Sequence, residues 1–413
     1  MAEIRGVLAD LLGAARAIAR ADIGAGGGPP RVLSLRDAII REYVEDAGEY
    51  SVKLEEASRR LLRPLLARSV SRWARRQRVV EVGVDSSSRS LETSVGALIV
   101  AGGAASAPGR YPLVEWPSLD GPARAGPGFL GVVGVRAPER WPLVTSSPAG
   151  HSYEEYSLEQ AMDEMRVGLE NWLLAGPALE WVRAARERGL TPIVLVDGPV
   201  VPVTMAFRAS AWSVGDRRYV EAWRRLVEDR LRAVSALERA GAAVVGVVKR
   251  LGRSTIISKL RASFPGLEGA GGEVSDYRAL YYCYQRVASP SPGRVYASPR
   301  MKVMIFGAGE PIVKNVEYVV IPPGRWARSP WAARYYRVEY TDRTLAILEG
   351  LGARGVYPVV HDSVLRGSLE PVEIAASDRR SRHLTRSLRS LLAGILVREG
   401  VPLEYRAVVE AHA

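Results

Sequence analysis

The sequence predicts a mixed α/β fold, a central sheet flanked by helices, behind a helical N-terminal arm. Three features carry that reading: apolar runs of strand length at Val79–Asp85, Ile193–Val196 and Ala242–Val248, amphipathic stretches of helical pitch between them, and an Asp closing two of the runs. With 413 residues, 47% of them apolar and 25% charged, the chain can bury a large core, which excludes disordered and fibrous classes.

Residues 1–23 place Ile4, Leu8, Leu11, Leu12, Ala15 and Ile18 at helical spacing, and the Gly-Ala-Gly-Gly-Gly-Pro-Pro stretch at 24–30 ends that helix as a linker. A second helical region is predicted over 34–78, closing on Arg72, Arg75, Arg76 and Arg78, so residues 1–78 read as an arm and 79–413 as the main domain. Val79–Asp85 and Leu91–Ala101 then read as a hairpin turning through Ser86-Ser87-Ser88-Arg89-Ser90. Residues 102–150, rich in Gly, Pro and Ala, read as loops and minor strands. A helix over 154–175 is expected to break at Gly176-Pro177, restart to Arg188 and stop at Gly189, ahead of the strand Ile193–Val196. The helix 217–240 carries Val220, Trp223, Leu226, Val227, Leu231, Val234 and Leu237 on one face and leads into the strand Ala242–Val248. Strands follow at 301–306, 315–321 and 334–340, a helix at 342–351, a short strand near 355–360 and a last helix at 377–399.

Charge narrows the partners. The excess of 57 Lys+Arg over 45 Asp+Glu gives a net charge of +12, which favours a polyanion such as nucleic acid. Cys283 is the single cysteine, so no intramolecular disulfide and no Cys-based zinc site can form, and no apolar run reaches membrane-spanning length; a cytoplasmic location without a membrane partner is expected. Asn occurs only at 171 and 315, Gln only at 77, 160 and 285, and Arg outnumbers Lys, a bias shared by thermophilic sources and high-GC genomes. No GxxxxGK[ST] loop is present, so any ATP consumption belongs to a partner.

The informative residues are acids. Asp85 ends Val82-Gly83-Val84-Asp85 and Asp197 ends Ile193-Val194-Leu195-Val196-Asp197, with Gly198 free to turn the chain sharply. Carboxyl ends of apolar strands are where α/β sheets place ligands, and an acid there must be paired or metal-bound once buried. A third carboxylate is available on the preceding helical stretch as Glu170 or Glu180, although Glu170 also stands at i, i+4 to Arg166, the spacing of a plain ion pair.

Val-Asp-Ser-Ser at Asp85, Met-x-x-x-Leu-Glu at Glu170, Val-Asp-Gly-Pro at Asp197, Val-Val-Lys-Arg at 247–250 and Tyr-Pro-x-x-His at 357–361 stand in the order found in NurA nucleases, and the chain resembles that family over roughly 79–370. The resemblance implies an RNase H-like core and a Mn²⁺-dependent deoxyribonuclease with 5′-to-3′ exonuclease and single-strand endonuclease activity. It also implies partnership with the hexameric HerA ATPase in archaeal DNA-end resection, as a homodimer. Carried over residue by residue, its site falls on Asp85, Glu170, Asp197, Tyr357 and His361, with metal on Asp85, Glu170, Asp197 and His361. Two departures stand out: the interval from Glu170 to Asp197 is long, which keeps Glu180 in contention, and the Tyr357-to-His361 spacing is short.

Phosphodiester hydrolysis needs a delivered water, neutralised phosphoryl oxygens and a stabilised leaving alkoxide, and two divalent ions about 4 Å apart meet all three needs. Carboxylates suit Mg²⁺ or Mn²⁺, and an imidazole such as His361 tilts the preference to Mn²⁺. Lys249, Arg250, Arg253 and Lys259 after an apolar strand are expected to contact phosphate. Arg325, Trp326, Arg328, Trp331, Arg334, Tyr335, Tyr336 and Arg337 interleave cations and aromatics as a single-strand platform does, or as a protein interface does. Tyr281-Tyr282-Cys283-Tyr284 reads as core. The rivals are an RNase H- or Argonaute-like ribonuclease and a non-catalytic DNA-binding adaptor whose acids only cap turns.

Overall fold

The computed structural model describes residues 7–16, 50–56, 58–93, 96–118, 126–133, 158–202, 214–252, 254–264, 267, 274–286, 294–306, 311–323, 332–401 and 403. Through them runs one mixed sheet of twelve strands. Its path is β1 (Tyr50–Leu54), β10 (Met301–Ile305), β11 (Ile312–Ile321), β12 (Arg334–Tyr340), β8 (Ala243–Val248), β7 (Thr191–Asp197), β3 (Val79–Thr93), β4 (Gly96–Ala107) and β5 (Arg110–Trp116). Off this path, β2 (Arg63–Leu65) pairs with β9 (Val295–Ala297), β9 with β11, and β6 (Leu130–Val133) with β4. The central strands β3, β7 and β8 are parallel and the outer pairings antiparallel.

Helices cover both faces, as a sheet with buried parallel strands requires. On one face Val82, Val84, Val194, Val196 and Val244 pack against α3 (Leu158–Leu173), α5 (Val214–Arg239) and α7 (Asp276–Arg286). On the other, Ile193, Leu195, Val245 and Val247 meet α2 (Ala67–Gln77), α8 (Asp342–Gly350), α9 (Tyr357–Asp362) and the start of α10 (Val372–Arg398). The rest of α10 packs with the N-terminal helix α1 (7–16) over Leu91, Leu98 and Val100. No described helix is long and apolar enough to cross a membrane.

Several expectations are corrected. The helical region predicted over 34–78 is helical only at Ala67–Gln77 among its described residues; Tyr50–Leu54 is a strand, with alternate residues turned inward, and pairs with β10. The predicted turn Ser86–Ser90 lies inside β3, which runs unbroken from Val79 to Thr93, because packed partners satisfy its hydroxyls: Ser86 Oγ donates to Glu170 and Ser87 Oγ meets Thr385 Oγ1 at 2.8 Å. The predicted break at Gly176-Pro177 is a π turn, Leu174–Ala178, that leads directly into α4 (Leu179–Glu187); the wider turn accommodates the missing N–H of Pro177. The strand predicted near 355–360 is helix α9, whose first turn holds Pro358, where a fixed φ suits helix entry. The linker at 24–30 lies outside the described residues.

The tightest contact in the fold joins β3 to α10. A Cβ built at Gly83 stands 2.3 Å from the carbonyl carbon and oxygen of Glu373 and 2.6 Å from the amide nitrogen of Ile374, all backbone atoms that cannot swing away. Ser106 Oγ donates to the same Glu373 carbonyl at 2.5 Å, and Ser381 Oγ donates to Asp85 at 2.6 Å. Substituting Gly83→Ala is therefore expected to destabilise the protein by about 1–3 kcal/mol or more through overpacking, read from the denaturant midpoint; an unchanged midpoint would show that α10 does not sit this close.

Candidate metal centre

Two parallel strands bring Asp85 and Asp197 together. β3 and β7 pair in register from Val79 with Thr191 to Val84 with Val196, so their next residues, Asp85 and Asp197, lie side by side; β3 runs on past Asp85 to Thr93, paired with β4, whereas β7 ends at Asp197. Gly198, at φ +116, then turns the chain away, a conformation that favours glycine. Gly246 on β8 leaves room for this return, since a Cβ there would stand 2.3 Å from the Val200 amide.

The third acid is Asp378, nearly two turns into α10. Carboxylate oxygens of Asp85, Asp197 and Asp378 lie within 4.8 Å of one another, the one such grouping of three potential ligands among the described residues. Sequence reasoning missed Asp378. The usable signal was the polar stripe Ser377, Ser381 and Thr385, all buried, which complements the polar run Ser86–Ser90 and marks a helix lying on the polar half of a strand.

Burial and crowding set the electrostatics. Burial first, then the negative charges of Asp197 and Glu170, raise the Asp85 carboxyl well above the ordinary range, against the hydrogen bond from Ser381. Burial likewise lifts Asp197 to about 6, although Lys249 opposes it. The Lys249 ammonium sits 2.7 Å from Asp197 and 2.8 Å from Glu370. Burial works against that charge, but the two carboxylates outweigh it and hold Lys249 protonated. Arg382 Nε meets Asp378 at 2.6 Å.

Glu170 lies beside this group but is held from the opposite face of the sheet. It accepts from Ser86 Oγ at 2.7 Å and from the buried Arg230 at 2.6 Å, and Arg230 also donates to Asn171 at 2.6 Å. Its charge reaches both Asp85 and Asp197, whereas Glu180 is exposed on α4; of the two candidates, Glu170 is the one near the cluster.

His361 and Tyr357 are not brought to the three Asp residues. His361 Nδ1 bonds Glu81, which precedes Asp85 by four residues on β3, roughly 13 Å along the strand. Tyr357 packs edge-on against Trp73, with ring centroids 5.5 Å apart. Of the residues expected at DNA, Lys249 faces the acids, Arg250 is exposed, and Arg253, Arg325, Trp326 and Arg328 lie outside the described residues. The second half of the expected aromatic platform is interior: Tyr335 and Tyr336 are buried, and Arg337 is buried with Glu339 at 2.7 Å and Ser254 at 2.7 Å. Arg334, the first residue of β12, is exposed, but Tyr335–Tyr340 are buried between helices on both faces of the sheet. Tyr284 is buried, as expected.

The chain matches the NurA domain over residues 80–298. Among solved structures it is similar to the NurA nuclease from Sulfolobus solfataricus, at 13% identity over 78% of this chain and 85% of that one, with a TM-score of 0.39. It is also similar to a NurA with manganese, at 11% identity over 75% and 88% of the two chains and a TM-score of 0.37. A further NurA structure shows 9% identity over 92% and 96%, with a TM-score of 0.40. No curated protein matches. With more than half of its length matched to that domain, this protein belongs to the NurA family.

Proposed function

We propose that the protein is a metal-dependent deoxyribonuclease whose centre is Asp85, Asp197 and Asp378. The observation that carries this reading is the convergence of three carboxylates, from two neighbouring strands and a helix, within 4.8 Å. Membership of the NurA family supports the nuclease assignment, and the mixed sheet with acids side by side on neighbouring parallel strands supports an RNase H-like core. A structure of NurA with manganese supports Mn²⁺, with Mg²⁺ as the other hard ion these oxygens suit.

The donor set fits such an ion. Asp85 and Asp197 are held above the usual carboxylate range by burial and by the negative charge of neighbouring carboxylates, the condition of a site short of positive charge. A bound divalent pair would neutralise phosphoryl oxygens and lower the pKa of an attacking water. Asp85, Asp197 and Asp378 would hold it, Ser381 fixes the Asp85 carboxylate, and Glu170 adds negative charge from behind. Lys249, kept protonated beside Asp197, cannot act as a base and instead stabilises charge developing on a phosphate. This reading gives His361 and Tyr357 no contact with the reacting atoms. It extends to 5′-to-3′ exonuclease and single-strand endonuclease activity in DNA-end resection, as a homodimer working with a HerA-type hexameric ATPase.

Asp85→Asn and Asp378→Asn are each expected to lower Mn²⁺-dependent degradation of linear DNA by on the order of 100-fold or more, with circular dichroism unchanged. Full activity in either variant overturns the centre, and preferential cleavage of matched RNA or hybrid favours the ribonuclease rival.

Activity also depends on pH with a defined sign. Only the ionised carboxylates bind a cation, and Asp197 titrates near 6, so Mn²⁺ affinity and cleavage are expected to rise between pH 5 and 8. Calorimetric titration with Mn²⁺ at each pH checks this; a flat profile contradicts it.

A further inference from the structure

Helix α10 contributes Asp378 to the centre and then continues as a cationic rod. Between Asp378 and Glu399 it carries six Arg and one His, with no Asp or Glu. Its inner side is committed, with Ser377, Ser381, Leu384, Thr385 and Leu388 buried. Two arginines fasten it to the sheet, Arg380 on Glu115 and Arg389 on the Ser90 carbonyl at 2.8 Å. Arg398 is exposed at the far end of the helix, and nearer Asp378 the outward side is a single stripe: Arg379, Arg382, His383 and Arg386 are exposed and stand at i, i+3, i+4 and i+7.

An ordinary solvated helix face mixes both signs of charge, because i, i+4 pairs of like charge repel. Here, among the described residues, the acid that meets the stripe is Asp378 itself, 2.6 Å from Arg382 Nε, so the stripe begins at the proposed centre. Arg72, Arg75 and Arg76 on α2 are exposed over the same side of the sheet, but α2 contributes no acid to the cluster. From Arg379 to Arg386 the helix rises about 10 Å, which matches about three phosphates of one stacked strand at 3.4 Å each.

We infer that the outward face of α10 is the track along which one nucleic-acid strand reaches the acid cluster, its phosphates held by Arg379, Arg382, His383 and Arg386. The inference rests on the reading of that cluster as a nuclease centre. It assigns substrate contacts to a helix that the sequence had offered only as the last helix, over 377–399.

Binding of a fluorescently labelled 20-nucleotide single DNA strand in chelator, measured by anisotropy across a salt series, tests it without requiring cleavage. Removing two phosphate contacts with Arg379→Gln/Arg386→Gln is expected to weaken binding roughly 25-fold at 0.1 M salt and to flatten the log–log salt slope by about 1.4. Arg379→Lys/Arg386→Lys is expected to retain most of the affinity. Arg183→Gln/Arg188→Gln, which removes the same charge from exposed positions on and just after α4, on the other face of the sheet, is expected to bind as the unmodified protein does. A loss below fivefold in the α10 variant, or an equal loss in the α4 variant, overturns the track. The nuclease reading fails separately, if the unmodified protein binds this strand and never cleaves it with Mn²⁺.

Discussion

Helix α10 lies against β3 more closely than any side chain at position 83 would permit, and the acid cluster depends on that contact. Backbone against backbone at Gly83 and Glu373 fixes the height of the helix above the sheet. Ser381 on Asp85 and Thr385 on Ser87 then fix its rotation and register. Asp378 lies between these two constraints and is delivered to Asp85 on β3 and Asp197 at the end of β7 with little freedom left. A rigid support of this kind is what a metal centre requires, because ligand geometry must be held by the packing beneath it.

Charge is managed differently on the two faces of the same strand. On the α3 face, Glu170 is answered by a buried guanidinium, and Arg230 in turn by Asn171, so the pair is closed and hydrogen-bonded. On the α10 face three Asp residues share Lys249 and Arg382, and two of them remain difficult to ionise. The first arrangement stabilises the fold around a buried carboxylate; the second stores electrostatic repulsion that a cation would relieve. That imbalance, next to a closed pair only one sheet thickness away, distinguishes the functional group from the structural one. Glu81 with His361 belongs to the structural kind, a carboxylate answered by an adjacent ring under the cover of Trp73.

Much of the core was legible because it depends on local pattern. The runs ending at Asp85 and Asp197 and the run Ala243–Val248 are continuous apolar strands because all three are covered on both faces, and no long-range information was needed to find them. Errors occurred where tertiary partners override local preference. Ser86–Ser90 has the composition of a turn, yet remains extended because Glu170 and Thr385 satisfy its hydroxyls. Val356–Val360 has the composition of a strand, yet coils because Pro358 fits a first helical turn and the sheet needs a lid there. Arg337 has the composition of a nucleic-acid contact, yet its charge is spent on Glu339.

The sequence by itself determined the mixed α/β architecture, the two acids that follow apolar strand runs and the excess of positive charge. Each follows from residues adjacent in the chain. The tertiary structure alone decided which third carboxylate completes the group, because Asp378 lies 293 positions beyond Asp85 and is joined to it by a helix packing geometry that no local pattern encodes. It also decided which cations face solvent and which serve the core. A guanidinium has the same formula on α10 and on β12, and only the depth of the packing around it determines whether its charge is available to a phosphate.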